Sequence, residues 1–162
     1  MHIRQAHPPD LAPVVRILNE SAGTGANAIL SPVTEASRRA WFGAHSPDAH
    51  PLWIAEIEGD VAGWCSLSAW RGGREALRGT AEISYYVARD RQRRGVGTAL
   101  VRHALAEAAG LGLHTLLAVG LETNAASEAL LRREGFTRWG TLPGVARWDG
   151  RAVAQWIYGR AV

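Results

Sequence analysis

The stretch that decides the fold runs from Ala81 to Ala109 and reads AEISYYV, then ARDRQRRGVG, then TALVRHALAEAA. Its first part is rich in β-branched and aromatic residues and predicts a strand. Its last part has apolar residues at helical spacing from Val96 onward and predicts a helix. The loop between them carries four arginines and two glycines. Because glycines let a backbone approach a ligand and a helix N-terminus presents free N–H groups, this loop is expected to bind a phosphate or pyrophosphate.

The spacing within the loop excludes two common nucleotide-binding motifs. No Gly-Lys-Ser/Thr follows, as a Walker loop requires, and Leu100 stands where a dinucleotide-binding loop has its third glycine. The spacing Gln92-x-x-Gly95-x-Gly97 instead matches the pattern Q/R-x-x-G-x-G/A, and here the chain resembles the GNAT superfamily of acyl-CoA-dependent N-acyltransferases. In that family, backbone N–H groups of this loop bind the pyrophosphate of coenzyme A. On the loop alone, a basic loop that caps an ordinary helix is the alternative.

Length and composition predict one ordinary globular domain that covers residues 1–162. The chain is 47% apolar and 20% charged. It has neither a run of roughly 18 apolar residues nor a signal peptide, so a cytoplasmic location without membrane association is expected. Cys65 is the only cysteine, which excludes an internal disulfide and a cysteine-based metal cluster, and no metal site is expected. The net charge of +3, with arginines concentrated in one loop, favours a compact anion over nucleic acid.

The whole chain predicts strands and helices in the order β-α-α-β-β-β-α-β-α-β-β. Asp10 is expected to cap the first helix, and residues 113–119 predict a buried strand. Residues 136–141 and 152–158 predict two final strands, which flank a turn region at Pro143. This is the order of the GNAT fold, an α/β architecture with a mixed central sheet of about seven strands flanked by about four helices.

Further tracts extend the resemblance to the phosphinothricin and methionine sulfone/sulfoximine acetyltransferases within the superfamily. They are Asn19-Glu20, Arg39-Ala40-Trp41-Phe42, Trp70-Arg71, Arg78-Gly79-Thr80-Ala81-Glu82, and Asn124-Ala125-Ala126-Ser127 with Gly135-Phe136 after it. The resemblance covers nearly the whole chain. It implies transfer of an acetyl group from acetyl-CoA to the α-amino group of a small amino-acid-like acceptor. Relatives of this group are often homodimers, so the resemblance implies a homodimer as well.

The resemblance also implies which residues form the acetyl-CoA site. Carried over by position, they are Tyr85, Tyr86 and Val87 on the strand, Arg93, Arg94, Gly95, Val96, Gly97 and Thr98 in the loop, and Asn124. The physical properties of these positions agree with that role. A strand end can offer backbone groups to the amides of the pantetheine arm, and an asparagine side chain both donates and accepts hydrogen bonds. For Asn124, the N-cap of a helix is the alternative.

Glu82 is the candidate general base. An amine attacks a thioester only when it is neutral, and free amines have a pKa roughly two units or more above neutrality, so a nearby base helps. Glu82 lies in an otherwise apolar strand, where loss of solvent would raise its pKa toward the useful range. The phosphinothricin group has its proposed catalytic glutamate at this position. The alternative is a strand glutamate that faces solvent or pairs with Arg78.

The loop before Glu82 is expected to bind the acceptor. Arginine forms bidentate hydrogen bonds with carboxylates and phosphinates, so Arg71 and Arg74 suit an amino-acid-like acceptor. The backbone of Gly72 and Gly73 is expected to line the same pocket. Solvated side chains are the alternative for both arginines.

One departure from the family concerns the group that protonates the leaving thiolate. Many relatives have Tyr or His four residues before Gly-Phe, where this chain has Leu131. A thiol with a pKa of about 8.5 can leave as the thiolate unaided. A tyrosine or a water molecule is the alternative proton donor.

Three other functions stay open beside the amino-acid acetyltransferase. An enzyme for a polyamine, an aminoglycoside or a protein N-terminus would have an acidic acceptor pocket. A non-catalytic CoA-binding module would bind acetyl-CoA without transferring the acetyl group. A nucleic-acid-binding protein would show strongly salt-dependent affinity for DNA.

Overall fold

The computed structural model describes residues 1–162, which form one seven-stranded sheet with four α-helices. The strands are β1 (His2–Gln5), β2 (Leu52–Ile57), β3 (Asp60–Ala69), β4 (Thr80–Val87), β5 (Thr115–Leu121), β6 (Thr137–Trp148) and β7 (Arg151–Ala161), in the spatial order β1-β2-β3-β4-β5-β7-β6. The helices are α1 (Leu11–Asn19), α2 (Glu35–Gly43), α3 (Val96–Ala108) and α4 (Ala125–Arg133). The predicted α/β fold and element order are confirmed. None of the helices has the length and apolar character needed to span a membrane.

The sheet consists of two antiparallel halves joined by a short parallel contact. One half contains β1 to β4, and the other contains β5, β7 and β6. Strands β4 and β5 pair only through Thr80–Glu82 and Thr115–Leu117. Beyond this contact β4 continues along β3 to Val87, while β5 continues along β7 to Leu121. The two halves therefore separate at Glu82, and an opening forms between β4 and β5.

Side chains alternate along the strands and build a hydrophobic core on each face of the sheet. On one face, α3 and α4 cover a cluster of 19 buried residues that includes Leu131. On the other face, α1 and α2 cover a cluster of seven buried residues that includes Trp64. Strand β4 contributes to both, because Tyr85 and Val87 pack against the first cluster and Tyr86 packs against the second.

The prediction that the Asp10 side chain caps α1 is wrong. Asp10 precedes the helix, but its carboxylate makes no hydrogen bond to an N–H group of α1. It accepts a hydrogen bond from His7 N–H at 2.7 Å and pairs with the Arg4 guanidinium at 2.7 Å. The guanidinium gives the carboxylate two parallel hydrogen bonds and an opposite charge, whereas a helix cap gives it neutral N–H donors, so the carboxylate faces β1 instead.

Two predicted strand boundaries are also corrected. Pro143 does not lie in a turn between strands, because β6 passes through it as one edge strand with a register shift between Leu142 and Ala146. An edge strand accepts proline since the N–H groups on its outer side need no partner. Strand β5 begins at Thr115 rather than Leu113, although Leu113 is buried in the core as its apolar character suggests.

Candidate active site

The opening between β4 and β5 forms a cavity of about 1040 Å³. Small-molecule sites measure about 300–1,000 Å³, so this one has room for a large ligand beside a small one. Its walls come from residues 82–87 of β4, residues 118–121 of β5, the loop before α3, the start of α4, and the segment between α1 and α2.

The loop before α3 presents free backbone N–H groups. From Gln92 to Thr98 no backbone N–H donates to an acceptor within the protein, and the first bond of the helix runs from Ala99 N–H to Gly95 O at 2.9 Å. Gly95 is the N-cap of α3 at φ +83°, a left-handed conformation that glycine adopts without strain. A Cβ at Gly95 would meet no atom within 4 Å apart from its chain neighbours. These N–H groups therefore face open space at the positive end of the helix dipole and can bind a pyrophosphate.

All but one of the predicted loop residues line the cavity. Those in its wall are Arg93, Gly95, Val96, Gly97 and Thr98, joined by Arg89 and Gln92. Arg94 is exposed and does not line it. Glu20 fixes the start of the loop, because its carboxylate accepts a hydrogen bond from Arg89 N–H at 2.6 Å and its carbonyl accepts one from the guanidinium at 3.0 Å.

The edge of β4 that faces the opening carries free N–H groups. Ala88 N–H, just after β4, donates to Ala62 O at 2.9 Å. Because antiparallel strands bond through alternate residues, every second residue of β4 counted back from Ala88 bonds to β3. The N–H groups of Tyr85 and Val87 point away from β3, toward the side on which β5 no longer pairs with β4. Tyr85, Tyr86 and Val87 all line the cavity. An amide of a bound ligand can pair with this edge as an added strand would.

Two contacts cross the opening. The Tyr85 hydroxyl lies 2.6 Å from Ser127 Oγ of α4, and burial raises the pKa of Tyr85 to about 12. Asn124 lines the cavity, but its amide is already engaged. Its Oδ1 accepts a hydrogen bond from Ser127 N–H at 3.1 Å, and its Nδ2 donates to Ala26 O at 2.8 Å. Asn124 is therefore the N-cap of α4, and a contact with a cofactor stays a prediction.

Glu82 lies where the two halves of the sheet separate, and it lines the cavity. Its carboxylate forms no hydrogen bond or ion pair within the protein; Arg78, the alternative partner, lies 4.0 Å from Glu75 instead. Burial raises the pKa of the Glu82 carboxyl. A partly buried carboxyl with a raised pKa and no counter-ion is suited to accept a proton.

Other polar groups lie near Glu82 on the same face of β4. Tyr86 stacks on Trp64, with ring centroids 4.5 Å apart. Burial raises the pKa of the Tyr86 hydroxyl; Asn27 and Arg38 oppose this shift, and the charge of Glu82 adds to it. Arg38 of α2 is half-buried, and no ion pair engages it. Tyr86 and Asn27 line the cavity together with Glu82, whereas Arg38 lies near Tyr86 outside the cavity wall.

The structure does not bring the predicted acceptor-binding loop into the cavity. Arg71, Gly72, Gly73 and Arg74 are all exposed between β3 and β4, and none lines the cavity wall. Arg71 and Gly73 have φ values of 52° and 82°, which fold the loop into a tight turn. A role of these four residues in acceptor binding stays a prediction.

Sequence analysis missed two parts of the cavity wall. The segment between α1 and α2 contributes Thr24, Asn27 and Ile29; its composition predicted a loop but contained no chemical motif. Trp156 of β7 lines the cavity through its contact with β5, where a Cβ at Gly120 would come within 2.2 Å of the indole ring. No local signal could place β7 there, because only the strand order of the sheet sets β7 next to β5.

The remaining candidate ligands and nucleophiles have no role in the cavity. No group of three or more His, Cys, Asp or Glu side chains is arranged to hold a metal ion. Cys65 is fully buried, and burial raises the pKa of its thiol. It packs in the core cluster beneath α3 and α4.

Comparison with known proteins agrees with this geometry. The profile of the Acetyltransferase (GNAT) family matches residues 14–136. YwnH of Bacillus subtilis (strain 168), whose name assigns it provisionally to the phosphinothricin acetyltransferases, is 38% identical over 162 residues, which are 99% of this chain and 98% of that protein. An L-methionine sulfoximine/L-methionine sulfone acetyltransferase of Pseudomonas paraeruginosa is 38% identical over 151 residues, 92% of this chain and 87% of that protein.

The solved structures that resemble this chain include one that contains acetyl-CoA. The crystal structure of a GNAT superfamily phosphinothricin acetyltransferase from Sinorhizobium meliloti in complex with acetyl-CoA matches with a TM-score of 0.92 at 28% identity. The match covers 99% of this chain and 88% of that one. Because the family profile matches residues 14–136 and the Bacillus relative is 38% identical over 99% of this chain, the chain belongs to the GNAT family of N-acetyltransferases.

Proposed function

We propose that the chain transfers the acetyl group of acetyl-CoA to the α-amino group of a small amino-acid-like acceptor of the phosphinothricin or methionine sulfone type. The observation that carries this proposal is the position of Glu82. Its carboxyl is partly buried, has no counter-ion, and lies in the cavity wall at the last paired position of β4 and β5. The names of the Bacillus and Pseudomonas relatives support the acceptor class.

Glu82 acts as the general base in this proposal. The acceptor amine is mostly protonated at neutral pH, because its pKa lies roughly two units or more above neutrality. The raised pKa of Glu82 narrows the gap between the two groups, so transfer of the proton to the carboxylate costs less. Acetyl-CoA, when bound, supplies the activated acyl group. The Val87 N–H, which faces the opening, can donate a hydrogen bond to the oxygen that gains negative charge.

In this proposal, backbone groups without a partner in the protein hold acetyl-CoA. The N–H groups from Gln92 to Thr98, with the Arg93 side chain beside them, fit the pyrophosphate. The free edge of β4 at Tyr85 and Val87 fits the amides of the pantetheine arm. Asn124 supports this arrangement indirectly, because its bonds to Ser127 and Ala26 fix the start of α4 across the opening.

The hydroxyl pair of Tyr85 and Ser127 is our candidate for stabilising the leaving thiolate. Leu131 is fully buried in the core and does not line the cavity, whereas Tyr85 and Ser127 both do. A pKa of about 12 keeps the Tyr85 hydroxyl protonated at neutral pH, so it can donate to Ser127 Oγ. The proton of Ser127 is then free to donate a hydrogen bond into the cavity.

Positive charge for the acceptor's carboxylate or phosphinate comes from Arg38 in this proposal. Arg38 does not line the cavity wall, but it is half-buried, has no ion-pair partner, and its charge acts on the Tyr86 hydroxyl, whose side chain does line the cavity. An arginine held this way keeps its donors available for a bidentate contact. The exposed loop 71–74 lies outside the cavity. The thiol-release assay described next also tests whether this loop takes part in acceptor binding.

A thiol-release assay with acetyl-CoA and a panel of amines, including phosphinothricin and methionine sulfone, tests the proposed function. Glu82→Gln is expected to lower kcat about 10²- to 10⁴-fold, because a general base contributes that much. Its Kd for acetyl-CoA is expected to stay near that of the wild type. Glu107→Gln is the control, since Glu107 is an exposed carboxylate on α3 away from the cavity.

Two results would contradict the proposal. Wild-type turnover in Glu82→Gln would remove Glu82 from the mechanism. Acetyl-CoA binding without thiol release for any amine would favour a non-catalytic CoA-binding module. Preference for polyamines or aminoglycosides would shift the acceptor class while leaving the acetyl transfer in place.

The homodimer and the cytoplasmic location implied by the resemblance stay predictions. Trp139, Leu142 and Val145 are exposed apolar side chains on edge strand β6, which is a suitable surface for a second copy. Size-exclusion chromatography with light scattering measures the mass in solution. A mass of one chain at high protein concentration would contradict the dimer.

A further inference from the structure

His45 follows the C-terminal end of α2 and has one ring nitrogen fixed by that helix. Its Nδ1 lies 2.9 Å from Trp41 O, so Nδ1 carries a proton and donates it to this carbonyl. The ring is half-buried and packs edge-on against the Trp41 ring, with centroids 4.7 Å apart. Burial lowers the pKa of His45, and the charge of His50 in the following turn adds to this effect. At pH 7 the ring is therefore neutral, and its Nε2 has a free lone pair.

Ser68 connects this nitrogen to the strand that carries Glu82. His45 Nε2 lies 3.5 Å from Ser68 Oγ. Ser68 of β3 stands directly opposite Glu82 of β4 in the antiparallel register. Directly opposed residues project from the same face of a sheet, with Cβ atoms about 4.5–5.5 Å apart. No hydrogen bond joins the two side chains in the structure, but rotation about the side-chain bonds of Glu82 brings its carboxylate within reach of the Ser68 hydroxyl, which can then donate to one group and accept from the other.

We propose that Ser68 and His45 carry the proton that Glu82 takes from the acceptor amine out of the active site. This inference rests on the proposed role of Glu82 as general base. The O–H bond of the Glu82 carboxyl breaks and its proton bonds to Ser68 Oγ, while the proton of Ser68 moves to Nε2 of His45. Glu82 is again a carboxylate, Ser68 is unchanged, and the imidazolium of His45 releases a proton to solvent.

The position of Glu82 explains why it needs such a route. Its carboxyl faces a cavity that both substrates occupy during the reaction. After each transfer the carboxyl must lose its proton before it can deprotonate another amine. Ser68 and His45 lie on the β3 side of Glu82 and do not line the cavity. The proton can therefore reach the half-exposed imidazole while the cavity is full.

Variants that keep the shape of the site but cannot pass a proton test this route. His45→Gln keeps a donor for Trp41 O, and Ser68→Ala removes the connecting hydroxyl. At saturating substrates we expect kcat to fall about tenfold in both variants while the KM of each substrate stays within about twofold. His2→Gln is the control, because His2 is an exposed histidine on β1 that does not line the cavity.

Chemical rescue separates a proton carrier from a structural residue. We expect added imidazole to restore the kcat of His45→Ala in a saturable manner. NMR of the free protein gives a readout independent of turnover, and it should show a neutral His45 with its proton on Nδ1 at pH 7. Unchanged kcat in His45→Gln and Ser68→Ala, a loss that imidazole does not reverse, or a proton on Nε2 would each overturn the proposal. Wild-type turnover in Glu82→Gln would instead overturn the proposed function, so the two failures are distinguishable.

Discussion

Replacing Gly95 with alanine separates ligand binding from stability in the loop before α3. Gly95 holds φ +83° in open space, so the alanine meets backbone strain but no clash. A left-handed alanine costs about 1–2 kcal/mol, which lowers the Tm of a domain of this size by roughly 2–8 °C. Gly59, in the turn between β2 and β3, has φ +86° and equally open surroundings. Gly59→Ala should therefore lose the same stability and is a matched control.

The two variants are expected to differ in their affinity for acetyl-CoA. Gly95 lies within the loop whose N–H groups from Gln92 to Thr98 have no acceptor in the protein. We expect relief of the backbone strain to reorient the neighbouring Val96 N–H, so that it no longer donates to the pyrophosphate. Losing one hydrogen bond to a charged phosphate costs about 1.5–3 kcal/mol, which raises Kd about ten- to a hundredfold. Gly59 does not line the cavity, so its replacement leaves Kd unchanged.

Isothermal titration with acetyl-CoA measures Kd, and thermal unfolding measures the loss of stability in the same samples. The expected result is an equal fall in Tm for both variants and a raised Kd for Gly95→Ala alone. If Gly95→Ala bound acetyl-CoA as tightly as the wild type, the loop would not hold the pyrophosphate. If both variants lost affinity together, the effect would come from stability and not from the loop.

Three further changes test other parts of the structure. Gly120→Ala places a Cβ within 2.2 Å of the buried Trp156 ring, so we expect the free energy of unfolding to fall by about 1–3 kcal/mol in chemical denaturation. Burial alone would raise the pKa of Asp10, but the Arg4 guanidinium and the His7 N–H together outweigh it and hold the pKa below its ordinary value. The stabilisation is therefore complete above about pH 4 and is lost as pH falls through the lowered folded-state pKa. Asp10→Asn should lower stability at pH 7 and flatten this acid dependence; an unchanged pH profile would refute the assignment. Arg38→Ala should raise the KM of an amino-acid acceptor about tenfold or more without changing the Kd of acetyl-CoA, and an unchanged KM would remove Arg38 from the site.

Features with a local signal could be predicted from the sequence. The stretch from Ala81 to Ala109 combines strand propensity, two glycines and a helical apolar stripe, and each part folds as its own pattern predicts. Thr34 caps α2, because its hydroxyl accepts a hydrogen bond from Ser37 N–H at 3.2 Å. Gly135 ends α4 at φ +80°, the left-handed conformation that a helix C-terminus favours.

Features that depend on register and strand order could not be predicted. Trp156 enters the cavity wall only because β7 pairs with β5, and no property of its neighbours in sequence indicates this. Ser68 stands opposite Glu82 only because of the register in which β3 pairs with β4. Asp10 carried a helix-capping signal, but Arg4 lies six residues earlier and its charge determines where the carboxylate binds. In each case a tertiary partner outweighs the local preference.

The short contact between the two half-sheets accounts for both the binding edge and the reactive carboxyl. Because β4 and β5 share only three paired positions, β4 keeps its bonds to β3 but has no partner on its other edge beyond Glu82. That separation frees the Val87 N–H and opens the cavity beside the Glu82 carboxyl. Two more paired residues would cover these groups with β5. In the proposed mechanism, the register that ends at Glu82 thus determines where the amine meets both its base and the oxyanion donor.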